Sequence, residues 1–317
     1  MSKYRNRLPQ LQDALFVTDG GLETTLIFHD GLDLPFFAAF DLLKTANGVA
    51  TLHRYFETYV EIAHRHRVGV VLETPTWRAN PDWAAKLGYD AARLADANRS
   101  GVGLLLEVRK RFETPTSPIV ISGNIGPRGD GYRPESRMSV KEAADYHGAQ
   151  IRTFAETDAD MVAAFTMNYI EEALGIAFAA RDAKMPLALS FTLETDGRLP
   201  TGDSLATAIA RVEAETDRYP AYYMVNCAHP THFTHILREL GPLATRVRGL
   251  RANASKRSHA ELDASTDLDA GNPEELGREY REIRRSLPAL SVVGGCCGTD
   301  HRHVGAICGA LTASACT

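Results

Sequence analysis

Two neighbouring cysteines in a frame of glycines, Gly294-Gly295-Cys296-Cys297-Gly298, follow directly on the apolar run Leu290-Ser291-Val292-Val293. Vicinal cysteines serve each other poorly. A disulfide between neighbours strains the peptide that joins them, and two adjacent thiolates repel unless a cation lies between them. Zinc is the cation that suits sulfur donors. A third cysteine, Cys227, stands just past another strand-like run, Ala221-Tyr222-Tyr223-Met224-Val225-Asn226. Three sulfurs can share one metal if the ends of those two runs are neighbours in space. Three thiolates at about 2.3 Å from zinc leave one tetrahedral position open, the arrangement of a catalytic rather than a closed structural site. The resulting complex carries net negative charge and is a poor Lewis acid. It can still take up an incoming thiol and ionise it at neutral pH, below the ordinary thiol pKa of about 8.5. The chemistry that fits is alkyl transfer to a thiol.

The elements that must position these sulfurs alternate between short apolar runs and longer segments of helical spacing. Strands are expected at Leu15 to Thr18, Gly69 to Leu72, Ile119 to Ser122, Met161 to Ala164, Leu187 to Phe191, Tyr222 to Asn226, Val247 to Leu250 and Ser291 to Val293. Helices are expected at Gly48 to Arg65, Ala91 to Phe112, Val140 to Thr157, Ile170 to Lys184, Ser204 to Arg218 and Pro273 to Ser286. The first helix carries Val49, Leu52, Tyr55, Phe56, Tyr59, Val60 and Ala63 along one stripe. Eight βα units without a linker or a shift in composition predict a single-domain α/β protein, a (β/α)8 TIM barrel over residues 1–317. All strands of such a barrel are parallel, so residues just past them gather on the C-terminal face. Cys227 would end strand six and Cys296-Cys297 strand eight, with one strand between them, which allows the sulfurs to meet across the mouth.

Composition narrows the function further. The 317 residues are 44% hydrophobic and 24% charged, with a net charge of −5, values of a globular chain with no basic surface for nucleic acid or an anionic membrane. No Gly-x-Gly-x-x-Gly follows the first strand, and Gly129-Asp130-Gly131 falls in a long polar loop, so a dinucleotide fingerprint is not supported. The N-terminus lacks an apolar signal core and no run reaches the length of a membrane span, which predicts a cytoplasmic protein whose partners are small molecules. In a reducing compartment, five cysteines point to metal or redox chemistry rather than to a disulfide framework. Cys308 and Cys316 lie outside the cluster and are expected as a helix-packed thiol and a tail residue. His229, His232, His301 and His303 stand near the cysteines and could close the site with a fourth ligand, although loop histidines are more often solvated or capping groups.

These residues resemble the homocysteine S-methyltransferase family, which includes betaine-, S-methylmethionine- and cobalamin-dependent members. The resemblance runs through Thr18-Asp19-Gly20-Gly21, Gly123-Asn124-Ile125-Gly126-Pro127, Ser190-Phe191-Thr192, Val225-Asn226-Cys227 and Gly294-Gly295-Cys296-Cys297-Gly298-Thr299. The last two motifs are the most specific. The resemblance implies a zinc barrel in which Cys227, Cys296 and Cys297 hold Zn2+. It also implies that Asp19 and the Gly20-Gly21 backbone seat the amino-acid part of the thiol. Paired glycines do allow close approach of backbone N–H groups to a carboxylate, and an aspartate can pair with an ammonium. A simple turn with a capping aspartate is the alternative. Asn226, beside a ligand, could hydrogen-bond near the metal or be an ordinary strand-end residue.

Departures from the family pattern bear on the substrate. Where many members have Glu-Thr after strand four, with the glutamate on the substrate amino group, this chain has Phe165-Thr166. Where members read Ala-Thr-Glu-Leu, it has Glu23-Thr24-Thr25-Leu26. Glu23, Glu73 or Glu194 could take over the ammonium contact. Phe165 and Trp77 could instead form part of an aromatic cage for a methylated donor cation. The expected activity is methyl transfer from a sulfonium donor, S-methylmethionine or S-adenosylmethionine, to homocysteine, giving methionine. The alternatives are another small thiol, a betaine-like donor, or a zinc or redox-sensing barrel without turnover.

Overall fold

Parallel strands covered by helices are buried on both faces and therefore read as unbroken apolar runs, and eight such runs close on themselves in this chain. The computed structural model describes residues 2–12 and 14–313; Cys316 lies outside them. The strands are β1 (Phe16–Val17), β2 (Gly69–Glu73), β3 (Ile119–Ile125), β4 (Met161–Met167), β5 (Leu187–Thr192), β6 (Tyr222–Asn226), β7 (Val247–Ala252) and β8 (Val292–Gly295). Each pairs in parallel with its sequence neighbour, and β1 pairs with β8 to complete the barrel. The (β/α)8 expectation is borne out. The outer ring includes α1 (Ala46–His66), α2 (Ala91–Phe112), α3 (Val140–Ala155), α4 (Ile170–Asp182), α5 (Leu205–Glu215), α6 (Pro273–Ser286) and α7 (His301–Thr312). The β6–β7 crossover departs from this pattern. It is a run of 3-10 turns over Thr234–Arg246, broken at Gly241-Pro242, where no N–H is available for a regular helix. Among the described residues no helix is long and apolar enough to cross a membrane.

Local chemistry sets the helix limits. The Thr45 side chain caps α1 by accepting from the Gly48 N–H, and the helix stops where Arg67 turns left-handed at φ 56°. Between these ends, Leu52, Tyr55, Phe56, Tyr59, Val60 and Ala63 are buried, the stripe that packs the helix on the barrel wall. Asp90 and Asn272 cap α2 and α6, the latter with Pro273 following it. Cys308 is buried within α7.

Strand alternation divides the lumen into two levels. Phe16, Val71, Val120, Met161, Ala163, Ala188, Tyr222, Met224 and Val292 form an apolar floor, capped from below by Leu8 with Tyr4 and Leu11 packed against it. Above the floor the inward positions turn polar at Glu73, Ser122, Asn226 and Arg251, with Phe165 as the apolar exception. A chemically active layer thus rests on a dry, rigid base.

The base is tied to the N-terminal segment by Asp160 at the foot of β4. Its carboxylate accepts from Arg109 Nη1 at 2.6 Å, from the Ile121 N–H at 2.9 Å and from the Tyr4 N–H at 2.8 Å. Asp160 is fully buried and Arg109 nearly so. Replacing Asp160 with alanine leaves a buried guanidinium without its counter-ion, a change that costs about 3–5 kcal/mol. Urea unfolding of Asp160→Ala is expected to show that loss; a change below about 1 kcal/mol would contradict this account.

Candidate active site and metal centre

The three cysteines meet at the C-terminal mouth. The sulfurs of Cys227, Cys296 and Cys297 all lie within 4.8 Å of one another, and among the described residues they are the one group of potential metal ligands so gathered. Cys227 and Cys296 are drawn together as a disulfide, with Cα atoms 5.4 Å apart, while Cys297 is a free thiol. Cys297 is the exposed one of the three, with the Tyr132 hydroxyl near its sulfur. A zinc ion with ligands at about 2.3 Å requires neighbouring sulfurs somewhat under 4 Å apart. Small side-chain rotations supply that spacing once the cysteines are reduced, so the donor set fits zinc.

The backbone is bent to deliver these sulfurs. Cys227 follows β6 in the left-handed region, at φ 54°, and Thr166 in β4 does the same at φ 63°, where the ladder to β5 slips register. Such conformations cost energy in residues with a Cβ and persist only where neighbours over-determine them. Asn226 does that for both. Its Oδ1 accepts from the Thr166 N–H at 2.9 Å and from the Ser190 hydroxyl at 2.6 Å. Its Nδ2 donates to Thr166 Oγ1 at 2.9 Å and to Cys227 Sγ at 3.2 Å. All four of its hydrogen-bonding positions are thereby used. On the other side, the Cys296 N–H donates to the Ala252 carbonyl at 2.8 Å, and the Ala254 N–H to the Cys297 carbonyl at 3.0 Å. Gly294 has no room for a Cβ, which would collide with the Thr18 side chain.

The predicted substrate residues are placed as follows. Asp19 is 3% exposed and forms an ion pair with Arg251, Oδ1 to Nη2 at 2.7 Å, while the Tyr55 hydroxyl lies 2.9 Å from Oδ2. Burial alone pushes the Asp19 carboxyl up; Arg251 is the main group that opposes it. Gly20 and Gly21 pack tightly against the loop after β8, and the Gly21 N–H already donates to the Thr299 carbonyl at 3.0 Å. Glu194 pairs with His259 at 3.1 Å, and the other ring nitrogen of His259 meets the Cys227 carbonyl at 2.5 Å. Phe165 lines the lumen with the Arg251 guanidinium 5.0 Å from its ring centroid. Trp77 packs against the same inner cluster, but Arg78 lies 4.2 Å from its ring. Each aromatic face thus already carries a protein cation. Glu23, in the turn Leu22–Thr24, is half-buried, and burial raises its carboxyl to about 7. Glu73 is 4% exposed with Oε2 unpartnered, and burial raises it likewise to about 7, against the pull of Arg251.

Histidines near the cysteines are engaged elsewhere. His229 caps the short helix Pro230–Phe233, His232 meets the Lys256 carbonyl at 2.9 Å, and His303 meets Asp300 and the Ala270 carbonyl. His301 begins α7. The sequence reading did not bring Arg251, His259 or Tyr132 to the site, and it gave Tyr55 a packing role alone. Tyr132 stands on the loop between β3 and α3, its ring stacked on His259 at 3.9 Å and its hydroxyl 3.8 Å from Cys297 Sγ. Arg251 could have been found, because strand seven was expected to end one residue before it and the residue after a barrel strand faces the mouth.

The fold and site define a closed (β/α)8 barrel that gathers three cysteine sulfurs above an apolar floor, a donor set able to hold a metal ion. Residues 16–311 match the family model described as homocysteine S-methyltransferase, and the chain belongs to that family. It is similar to a selenocysteine Se-methyltransferase of Brassica oleracea var. italica, 23% identical over 316 residues that cover 92% of this chain and 87% of that one. It is also similar to homocysteine S-methyltransferase 2 of Arabidopsis thaliana, 23% identical over 318 residues, covering 92% and 91%. Among solved structures, the oxidized form of the homocysteine methyltransferase MmuM from Escherichia coli shares the fold, with a TM-score of 0.74, 19% identity and coverage of 95% and 97%. The metallated form of the same enzyme superposes with a TM-score of 0.71 at 18% identity, covering 95% and 98%.

Because Asn226 both feeds a hydrogen bond to Cys227 Sγ and holds the Thr166 turn, Asn226→Ala should lower metal affinity roughly 10- to 100-fold. Competition against a chelator measures this, and an unchanged affinity would show that the amide has no part in the metal corner.

Proposed function

We propose that this protein is a zinc-dependent methyltransferase that moves a methyl group from a sulfonium donor, S-methylmethionine or S-adenosylmethionine, to the thiol of homocysteine, giving methionine. The observation that carries this reading is the convergence of Cys227, Cys296 and Cys297 within 4.8 Å at the barrel mouth. Family membership and the names of the relatives support it. Cys227, Cys296 and Cys297 would hold the ion, which when bound takes up the acceptor thiol and lowers its pKa so that it is ionised at neutral pH.

The protein's own residues then handle geometry. The Asn226 amide, 3.2 Å from Cys227 Sγ, withdraws charge from that sulfur and fixes its rotamer. The apolar floor and Phe165 line the lumen beneath the cysteines. In the transfer, the acceptor sulfur attacks the methyl carbon in line with the donor's S–CH3 bond. The new S–C bond forms as the old one breaks, and the electron pair stays on the donor sulfur, which departs as a neutral thioether. The acceptor's thiol proton has already passed to solvent, so no general base is needed. A cytoplasmic setting suits thiols that must stay reduced.

The Cys227–Cys296 pairing favours a second reading, a barrel whose sulfurs respond to oxidation or store metal without turnover. One experiment separates the two. Reduced, zinc-loaded protein is incubated with homocysteine and with each of S-methylmethionine, S-adenosylmethionine and a betaine, and products are followed by mass spectrometry. Methionine is expected with a sulfonium donor, and a single zinc per chain is expected to disappear in each of Cys227→Ser, Cys296→Ser and Cys297→Ser. A zinc-free preparation that remains folded and turns over would refute the metal's role, and absence of any methylated thiol would leave the sensing reading.

A further inference from the structure

An α-ammonium drawn out of water needs an anion in hydrogen-bonding reach. At the mouth, Asp19, Glu194 and Glu73 are committed or withdrawn. Asp19 is answered by Arg251 on one oxygen and by Tyr55 on the other. Glu194 is paired with His259. Glu73 lies in the lumen beside the Ser122 register position at 4% exposure, where the charge of Arg251 acts on it. The β4 wall offers no anion at all, since Phe165 occupies it and already faces the Arg251 guanidinium.

Glu23 differs from all of these. It follows Gly20-Gly21 in the turn Leu22–Thr24 and stays partly exposed. Among the described residues no cation forms an ion pair with it and no side chain hydrogen-bonds to it, while its charge acts on Cys297, Asp19, Arg251 and Arg78. The turn that carries Glu23 is fastened to the cysteine loop, since Thr24 Oγ1 accepts from the Gly298 N–H at 3.0 Å and the Gly21 backbone packs against the Cys296 carbonyl, so the carboxylate borders the place where an acceptor sulfur would sit. We propose that Glu23 receives the α-ammonium of the acceptor, so that this one side chain decides between amino-acid thiols and thiols of the same length that lack the amino group. The proposal rests on the homocysteine reading above and deepens it. It makes Asp19 a support that holds Arg251 rather than a direct partner of the substrate, and Arg251 in turn holds two backbone carbonyls: Nη2 also donates to Gly20 O at 3.0 Å and Nε to Gly295 O at 3.0 Å.

The test uses the reduced, zinc-loaded full chain and calorimetric titration with homocysteine and with 4-sulfanylbutanoate, which is homocysteine without its amino group. Wild-type protein should favour homocysteine. Glu23→Gln should cut that preference at least about tenfold, equivalent to 1.4 kcal/mol, chiefly by weakening homocysteine, and Glu23→Asp should recover part of it. Zinc content and melting temperature of the variants report on folding, and Glu23→Ala serves as a second removal of the charge. An unchanged preference in both Glu23→Gln and Glu23→Ala overturns the role of Glu23 while leaving the acceptor reading intact. A wild-type preference for the desamino thiol also overturns it, and failure of both thiols to bind the zinc protein removes the acceptor reading together with the proposal.

Discussion

One row across the sheet governs the mouth. The ladders set Asn226 beside Arg251 and Arg251 beside Gly294. Three adjacent strands therefore present an amide, a guanidinium and a vacancy at one level of the lumen. The next residues, Cys227 after β6 and the turn after β8, inherit their positions from that row. A slip of one residue in any of these strands would send its side chains to the opposite face and separate the sulfurs. The vacancy at Gly294 is part of the same constraint. The side chain of Thr18 fills the space a Cβ would need, and the Gly295 N–H donates to the Asp19 carbonyl at 3.0 Å. Closure of the barrel between β8 and β1 thus joins the cysteine corner to the Asp19 turn in one rigid piece.

Arg251 sets the electrostatics of that piece. Burial works against its charge, but Asp19, Glu73, Tyr55 and Glu23 outweigh burial and hold its pKa above the ordinary value. At 7% exposure, a guanidinium is tolerated because two carbonyls and a carboxylate are fixed around it before it arrives. Such a network adds little net stability compared with apolar residues of the same volume, yet losing one member strands the others. Its value here is selective. The cation neutralises the acid nearest the glycine pair and covers the ring on β4, which leaves the polarity of the remaining mouth to Glu23 on one side and Tyr132 on the other.

How much of this could be seen in the chain depends on the physical signal each part leaves. The eight strands were legible because burial on both faces produces continuous apolar runs. Helices Ala91–Phe112 and Pro273–Ser286 were expected from their spacing at the limits observed, and Asp90 and Asn272 cap their starts. The β6–β7 crossover left no helical period, since Gly241-Pro242 breaks it into 3-10 turns. The cysteines stood out through spacing alone, whereas Arg251 hid because a charge after Val-Arg-Gly-Leu looks like a strand giving way to a loop. Tyr132 was invisible for a different reason. Its place is decided by Asn168, whose Nδ2 donates to the Asp130 and Gly131 carbonyls at 2.9 Å, and no local pattern reports a contact between a loop and the end of a distant strand.

That loop also divides the site into parts of different stiffness. The cysteines, Asn226 and Arg251 sit at strand ends locked by ladders, whereas Tyr132 arrives on a loop that touches the corner through one stacked ring and one hydroxyl. His259, on which it stacks, is bound to both Glu194 and the Cys227 carbonyl. A ligand that displaced Tyr132 would therefore expose the face of an imidazole whose ring nitrogens are both occupied, and would leave the cysteine backbone where it is. Methyl transfer needs its two partners held in line, and the contrast between residues locked at strand ends and one brought in by a loop is the feature of this mouth that bears on it.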